Sequence, residues 1–403
     1  SKIVNRKSKI TITGSKSESN RLLLLKALYP TISLENVSNS DDSVLMTNAL
    51  SFHSDVVDIH HAGTAMRFLT AYFSIHEGRE VTLTGSKRMK ERPIQILVEA
   101  LQELGADISY MENAGYPPIK IKGKKLTKNK VSLQANVSSQ YISALLLIAS
   151  KLENGLELTL EGDITSVPYI KMTLSLLDEI GVESSFVGNT ITVKPNTKKL
   201  ETKILTVESD WSSASYYFSI AALCEIGTET TLSSYKENSL QGDSALVEIY
   251  KHFGVTTSYK ENTIQLKKTS TTKRDTLIEF DLTNAPDIAQ TIAVTCFALG
   301  IPCNLTGLHT LKIKETDRLV ALKNEIEKLG GVVAITDTSL HLSASHAIKE
   351  YVSIATYNDH RMAMAFAPLA LKTPIVIEDA EVVSKSYPTF WDDLESIGFK
   401  ITK

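Results

Sequence analysis

Residues 97–110 read LVEALQELGADISY, an amphipathic helix that stops at a glycine and runs straight into a strand. Leu97, Leu101 and Leu104 recur at helical spacing, and Gly105 supplies the left-handed residue that ends the helix. The phrase returns as LSLLDEIGVESSF (174–186), ALVEIYKHFGVTTSY (245–259), ALKNEIEKLGGVVAI (321–335) and FWDDLESIGFKI (390–401). Turn residues follow at ENAG (112–115), VGNT (187–190), KENT (260–263) and TDTS (336–339). Each lies between alternating apolar residues, so each predicts a hairpin.

A second kind of helix alternates with the first, rich in small residues and apolar nearly all round. Examples start at Ser19, Thr64, Ser138, Ser212, Asp287 and His360. A helix with no polar face is buried on every side. The two kinds recur with a period of about 75 residues, which predicts six units of roughly βαβαββ. DDSVLMTNAL (41–50) lacks the terminal glycine and makes the first unit degenerate. Six units divide into two α/β domains of three. The N-terminal domain is expected over 15–207, and the C-terminal domain over 208–403 together with 1–14, whose strand SKITIT joins it. Gly14–Arg21, GSKSESNR, then lies at a hinge, and clefts between domains are where ligands bind.

Composition narrows the partners. The 403 residues carry 43 Lys+Arg against 46 Asp+Glu, a net charge of −3, so no global field attracts nucleic acid or a membrane surface. Cys224, Cys296 and Cys303 form no CxxC and no disulfide framework, which predicts a reducing, cytoplasmic setting. No apolar run reaches membrane-spanning length. No HxH, CxxC or carboxylate cage predicts a metal, and no cofactor is expected.

The cations fall in register with the repeat. Lys16 and Arg21 open one buried helix, Arg67 lies in the first turn of the next, and Arg361 opens the last. Helix N-termini already concentrate positive potential, so added cations there favour an anionic ligand. KRMKERP (87–93) puts Arg92 at an expected N-cap before Pro93. IKETDRL (313–319) opens an outer helix with Lys314, Glu315, Asp317 and Arg318, where Thr316 is the candidate cap. NDHR (358–361) offers Asp359 as a cap, and Lys385 precedes the last outer helix. Together these predict a polyanionic small ligand held between two domains.

The text GSKSESNR, AGTAMR (62–67), KERPI (90–94), SSQ (138–140), SVPYI (166–170), GDSA (242–245), APDIAQT (285–291), KETDRL (314–319), NDHRMAM (358–364) and KSYPTFW (385–391) resembles the 5-enolpyruvylshikimate-3-phosphate synthases, in family order and over essentially the whole chain. The resemblance implies two similar inverse α/β domains, each of three βαβαββ repeats, joined by a hinge with the active site in the interdomain cleft. It implies a monomer acting on phosphoenolpyruvate and shikimate 3-phosphate. Lys16, Gly63, Arg92, Gln140, Arg318, Arg361 and Lys385 would hold phosphoenolpyruvate. Ser17, Arg21, Ser138, Ser139, Gln140, Ser166, Tyr169, Asp287 and Lys314 would hold shikimate 3-phosphate. Asp287 would take the proton of the attacking hydroxyl, and Glu315, with Lys16 as contender, would protonate the methylene. Ser15, His61, Phe68 and Thr310 stand where the family commonly has an acid, an asparagine, a proline and an asparagine.

Within the same architecture, a UDP-N-acetylglucosamine enolpyruvyl transferase would need a loop cysteine as acid, and no cysteine here precedes a glycine-rich loop. A non-catalytic binder of phosphorylated metabolites would not need Asp287, Glu315 and Lys16 together. An enzyme acting on RNA phosphates would call for an interleaved aromatic and basic stripe, which the chain lacks.

Overall fold

The computed structural model describes residues 4–51, 53–136, 138–162, 164, 167–196, 200–272 and 276–402. The chain divides into two compact units, Gly14–Val207 and the combination of Ser1–Thr13 with Glu208–Lys403. The sequence boundary between 14 and 15 moves by one residue. Gly14 donates its N–H to the Asn36 carbonyl (2.9 Å). A Cβ there would stand 2.2 Å from that oxygen and 2.6 Å from Val207, so only glycine fits.

In the Gly14–Val207 unit, the helices Lys16–Leu28, Gly63–Ser74 and Ser139–Ala149 pack against one another. Leu24, Phe68 and Leu145 have no accessible surface. Strands Val56–Asp58 and Glu80–Thr84 pair in parallel across the Gly63–Ser74 helix, and Ile119–Lys122 and Asp107–Tyr110 extend the sheet antiparallel. Lys130–Gln134, Leu156–Glu161, Thr190–Val193 and Ser184–Val187 repeat that arrangement around Ser139–Ala149. Ile32–Glu35 pairs in parallel with Lys203–Thr206, joining the two ends of the unit's chain.

The other unit uses the same grammar. Lys7–Ile10 runs parallel to Glu229–Ser233, whose antiparallel neighbours are Thr263–Lys268 and then Val255–Lys260. Ile278–Asp281, Cys303–Thr306, Leu340–Leu342 and Val333–Ile335 form the second sheet, and Val352–Ile354 pairs with Ile375–Ile377 in a third. The buried helices are Trp211–Leu223, Ala289–Leu299 and His360–Phe366. The mixed α/β class expected from the repeat is therefore what the chain adopts. No helix among the described residues is long and apolar enough to cross a membrane.

Two of the expected hairpins close with two-residue turns, at Gly188–Asn189 (Val187↔Thr190) and Glu261–Asn262 (Lys260↔Thr263). ENAG does not. Tyr110 pairs with Ile119, so residues 111–118 all lie in the connection. Pro117 and Pro118 carry no N–H to continue the ladder toward ENAG.

Candidate active site

In the Gly14–Val207 unit, three buried helices present their first turns with cations beside them. Ser15 caps Lys16–Leu28 by accepting from the Glu18 N–H (3.5 Å). Lys16 at the first helical position lies 4.0 Å from Asp42. One turn on, Arg21 is 3% exposed and donates to three neutral oxygens. Its Nε donates to Thr173 Oγ1 (2.8 Å), Nη2 to Ser143 Oγ (2.8 Å) and Nη1 to the Ser17 carbonyl (2.7 Å). The guanidinium also sits over the rings of Phe68 (5.5 Å) and Tyr169 (5.7 Å). Burial pulls its pKa down to about 10, still far above neutrality.

The Gly63–Ser74 helix starts after Ala62, which offers no side-chain cap. The Arg92 guanidinium lies against the start of this helix and occupies the space a side chain on residue 63 would need. A Cβ on residue 63 would stand 2.5 Å from Arg92 Nη1. Arg67, also buried, gives Nη1 to the Gly63 carbonyl (3.1 Å) and Nη2 to the Pro93 carbonyl (3.2 Å), and its Nε has no partner. Burial and then Arg92 lower the Arg67 pKa. Among the described residues, neither guanidinium is paired with a carboxylate. Two close arginines at a helix N-terminus favour an anionic ligand there. Gln140 joins this group by donating to Thr64 Oγ1 (3.2 Å), and Ser138 caps the Ser139–Ala149 helix from the Gln140 N–H (3.3 Å). Ser166 lies outside the described residues. Arg92 is not an N-cap as expected. The outer helix starts later, at Gln95 with Ile94 before it, which frees the Arg92 side chain for Gly63.

The other unit gathers the carboxylates. Arg318, 2% exposed, is the hub. Its Nη1 donates to Asp287 Oδ1 (2.9 Å), Nη2 to Glu315 Oε2 (2.7 Å) and Nε to Asp359 Oδ2 (2.7 Å). Arg361 Nη2 reaches Asp287 Oδ2 (3.3 Å), and Lys314 Nζ lies 3.5 Å from Asp287 Oδ1. Burial works against the Arg318 charge, but Asp359, Asp287 and Glu315 outweigh it and raise its pKa. Arg361 is likewise raised, with Asp287 the main counterweight to burial. Its Nε is buried without a partner. Lys385 Nζ donates to the Asn358 carbonyl (2.6 Å). Thr310 Oγ1 is buried without a partner.

Three functional candidates emerge that the sequence reading quoted without assigning. Asp359, read as a cap, does cap the Arg361 N–H (2.9 Å), but its carboxylate also holds Arg318. Asp243 accepts from Ser212 Oγ, and burial, with Asp287 adding to it, pushes its pKa up to about 7. Arg67 is the third. The Arg318–Lys328 helix is capped by Asp317, which accepts from Leu319 N (3.1 Å) and Val320 N (3.2 Å), and not by Thr316. A carboxylate accepts two N–H bonds at once where a threonine hydroxyl accepts less readily.

Chemically, the pair Asp287 and Glu315 shares one guanidinium. Arg361 and Lys314 add two further cations beside Asp287, so these two carboxylates and three cations converge at one place in this unit.

Comparison with known proteins follows the same text. The family model described as EPSP synthase (3-phosphoshikimate 1-carboxyvinyltransferase) matches residues 51–394. A 3-phosphoshikimate 1-carboxyvinyltransferase of Bacteroides fragilis is 46% identical over 400 residues, covering 98% of this chain and 96% of the relative. One of Haemophilus influenzae is 35% identical over 424 residues, covering 97% and 96%. An EPSP synthase structure from Acinetobacter baumannii superposes with a TM-score of 0.82 at 22% identity, covering 98% and 96%, a likeness of fold.

Proposed function

The chain belongs to the EPSP synthase (3-phosphoshikimate 1-carboxyvinyltransferase) family, and from that premise we propose how its two charged clusters divide the reaction. The activity is transfer of the carboxyvinyl group of phosphoenolpyruvate to the 5-hydroxyl of shikimate 3-phosphate, with release of phosphate, in the pathway to chorismate. Lys16, Gly63, Arg92, Gln140, Arg318, Arg361 and Lys385 bind phosphoenolpyruvate. Ser17, Arg21, Ser138, Ser139, Gln140, Ser166, Tyr169, Asp287 and Lys314 bind shikimate 3-phosphate.

The hydroxyl oxygen forms a bond to the central carbon of phosphoenolpyruvate and loses its proton to Asp287, while the methylene carbon takes a proton from Glu315 or Lys16. The tetrahedral adduct then loses a methyl proton and phosphate, and the vinyl group returns. Arginine forks suit both the carboxylate and the departing phosphate, because they bind oxygens in pairs. The observation that carries this reading is Asp287 bonded by Arg318 and Arg361, with Glu315 on the same Arg318. The cations orient the carboxylates before substrate arrives and offset the charge that two anionic substrates bring.

Asp287→Asn tests the assignment. The account expects kcat to fall by about a hundredfold or more, the range for loss of a general base. Titration calorimetry should show both substrates still binding within a few-fold. Unchanged turnover would remove Asp287 from the chemistry. The enzyme is proposed to work as a cytoplasmic monomer. Its free cysteines support a reducing compartment, and sedimentation in the presence of both substrates tests the stoichiometry.

A further inference from the structure

Residues 318 and 325 stand two turns apart on the Arg318–Lys328 helix, so both side chains leave from one face. Both reach the segment 355–361. Arg318 takes the Asp359 carboxylate, as described above. Glu325 has no accessible surface, yet it accepts from Tyr357 Oη (2.7 Å) and the Ala355 N–H (3.2 Å), with Lys328 Nζ at 2.8 Å.

The segment held in this way has a backbone that L-residues avoid. Tyr357 and Asn358 both lie in the left-handed region, with φ of 55° and 56°. Neither is a glycine, so the surroundings must maintain both conformations. The outcome of the turn is specific. It aims the Asn358 carbonyl at Lys385 Nζ, and it brings Asp359 to where its carboxylate grips Arg318 and caps the Arg361 N–H. The Asp359 N–H bonds the Thr356 carbonyl (2.8 Å) and closes the turn. Lys385 and Arg361 are thus tied to the two sides of one strained turn, and Glu325 is the buried group that holds the side of it away from the site.

We propose that Glu325 is a positioning residue: its carboxylate clamps the left-handed Tyr357–Asn358 turn and thereby sets where Lys385 and Arg361 present their cations to phosphoenolpyruvate. This rests on the assignment of those two cations to phosphoenolpyruvate made above. Neither Glu325 nor Tyr357 touches a substrate in this account. A buried acid serving only the fold would lower stability without favouring one substrate over the other.

The test is steady-state kinetics, with each substrate varied in turn, on Tyr357→Phe, Glu325→Gln, their double variant and Lys385→Met, alongside urea unfolding. Tyr357→Phe removes one hydroxyl and keeps the packing, so it reports even where Glu325→Gln does not fold. The expected result is a KM for phosphoenolpyruvate raised about fivefold in Tyr357→Phe and in Glu325→Gln, the factor for one net hydrogen bond. The KM for shikimate 3-phosphate should stay within twofold in both. Adding Tyr357→Phe to Glu325→Gln should raise the KM for phosphoenolpyruvate by less than the product of the two single effects, because both variants act on the same Glu325–Tyr357 contact. If Lys385→Met raises the KM for phosphoenolpyruvate and Tyr357→Phe does not, or if it raises both KM values equally, the clamp is wrong and the assignment of Lys385 stands. If Lys385→Met leaves that KM unchanged, the assignment itself fails and the clamp falls with it.

Discussion

Gly63 and Arg92 contest the same few cubic ångströms, and only the absence of a methyl lets the guanidinium lie against the helix start. Gly63→Ala would place a Cβ 2.5 Å from Arg92 Nη1. The obstructed atom is the end of a flexible side chain, so the arginine moves while the fold remains. The KM for phosphoenolpyruvate should then rise by about an order of magnitude, the cost of losing one charge-assisted contact, with the urea midpoint almost unchanged. Asp243 gives a prediction in pH. Its folded pKa of about 7 lies above the ordinary value of 3.8, so the folded state binds the extra proton between those limits. Its contribution to stability is therefore complete below about pH 4 and is lost as pH rises through about 7. Urea midpoints should fall from about pH 5 to about pH 8 in the parent and fall less in Asp243→Asn; equal slopes would show that Asp243 ionises as it does in the unfolded chain. Individual residues were legible unevenly. Cations at helix starts break the usual preference for acids there, and that anomaly marks Lys16, Arg21, Arg67 and Arg361 in bare text. The partnership of Arg318 with Asp287 and Asp359 had no such signal, because it depends on three helix starts meeting in space.

At the scale of elements, glycine did most of the signalling. Gly254 is the left-handed residue that ends the Tyr250–Phe253 turn (φ 71°), and Gly105, Gly181, Gly330 and Gly398 follow their helices with φ of 109°, 88°, 101° and 114°. A backbone requirement that one residue type meets cheaply leaves a readable mark. Caps were less readable where two candidates stood side by side, as with Thr316 and Asp317, since only geometry decides which side chain turns back. Asp317→Ala should cost about 1 kcal/mol of stability, the usual loss for a cap. Because that cap fixes the turn from which Arg318 extends, kcat should fall as well, and Asp317→Ser should restore both. Urea titration and initial rates check this pair of outcomes. The connection 111–118 was misread because ENAG has the composition of a tight turn, while the two prolines after it decide where pairing resumes.

For the molecule as a whole, a net charge of −3 supplies no general field for anions, so the proposed reading has locally placed cations serve the two anionic substrates. The repeat was visible because every unit buries one helix on all sides and half-buries another, and those burial states write different periodicities. Pairings between distant segments, such as Ile32–Glu35 with Lys203–Thr206, left no local trace, since short strands of ordinary composition fit many partners. The central claim is that these placed cations and carboxylates serve one reaction, carboxyvinyl transfer to a shikimate ester. It is tested most directly by continuous measurement of inorganic phosphate released by the purified protein. Phosphate should appear only when phosphoenolpyruvate and shikimate 3-phosphate are both present, in amounts equal to the limiting substrate. Release with UDP-N-acetylglucosamine in place of the shikimate ester, or none with the proper pair, would contradict it.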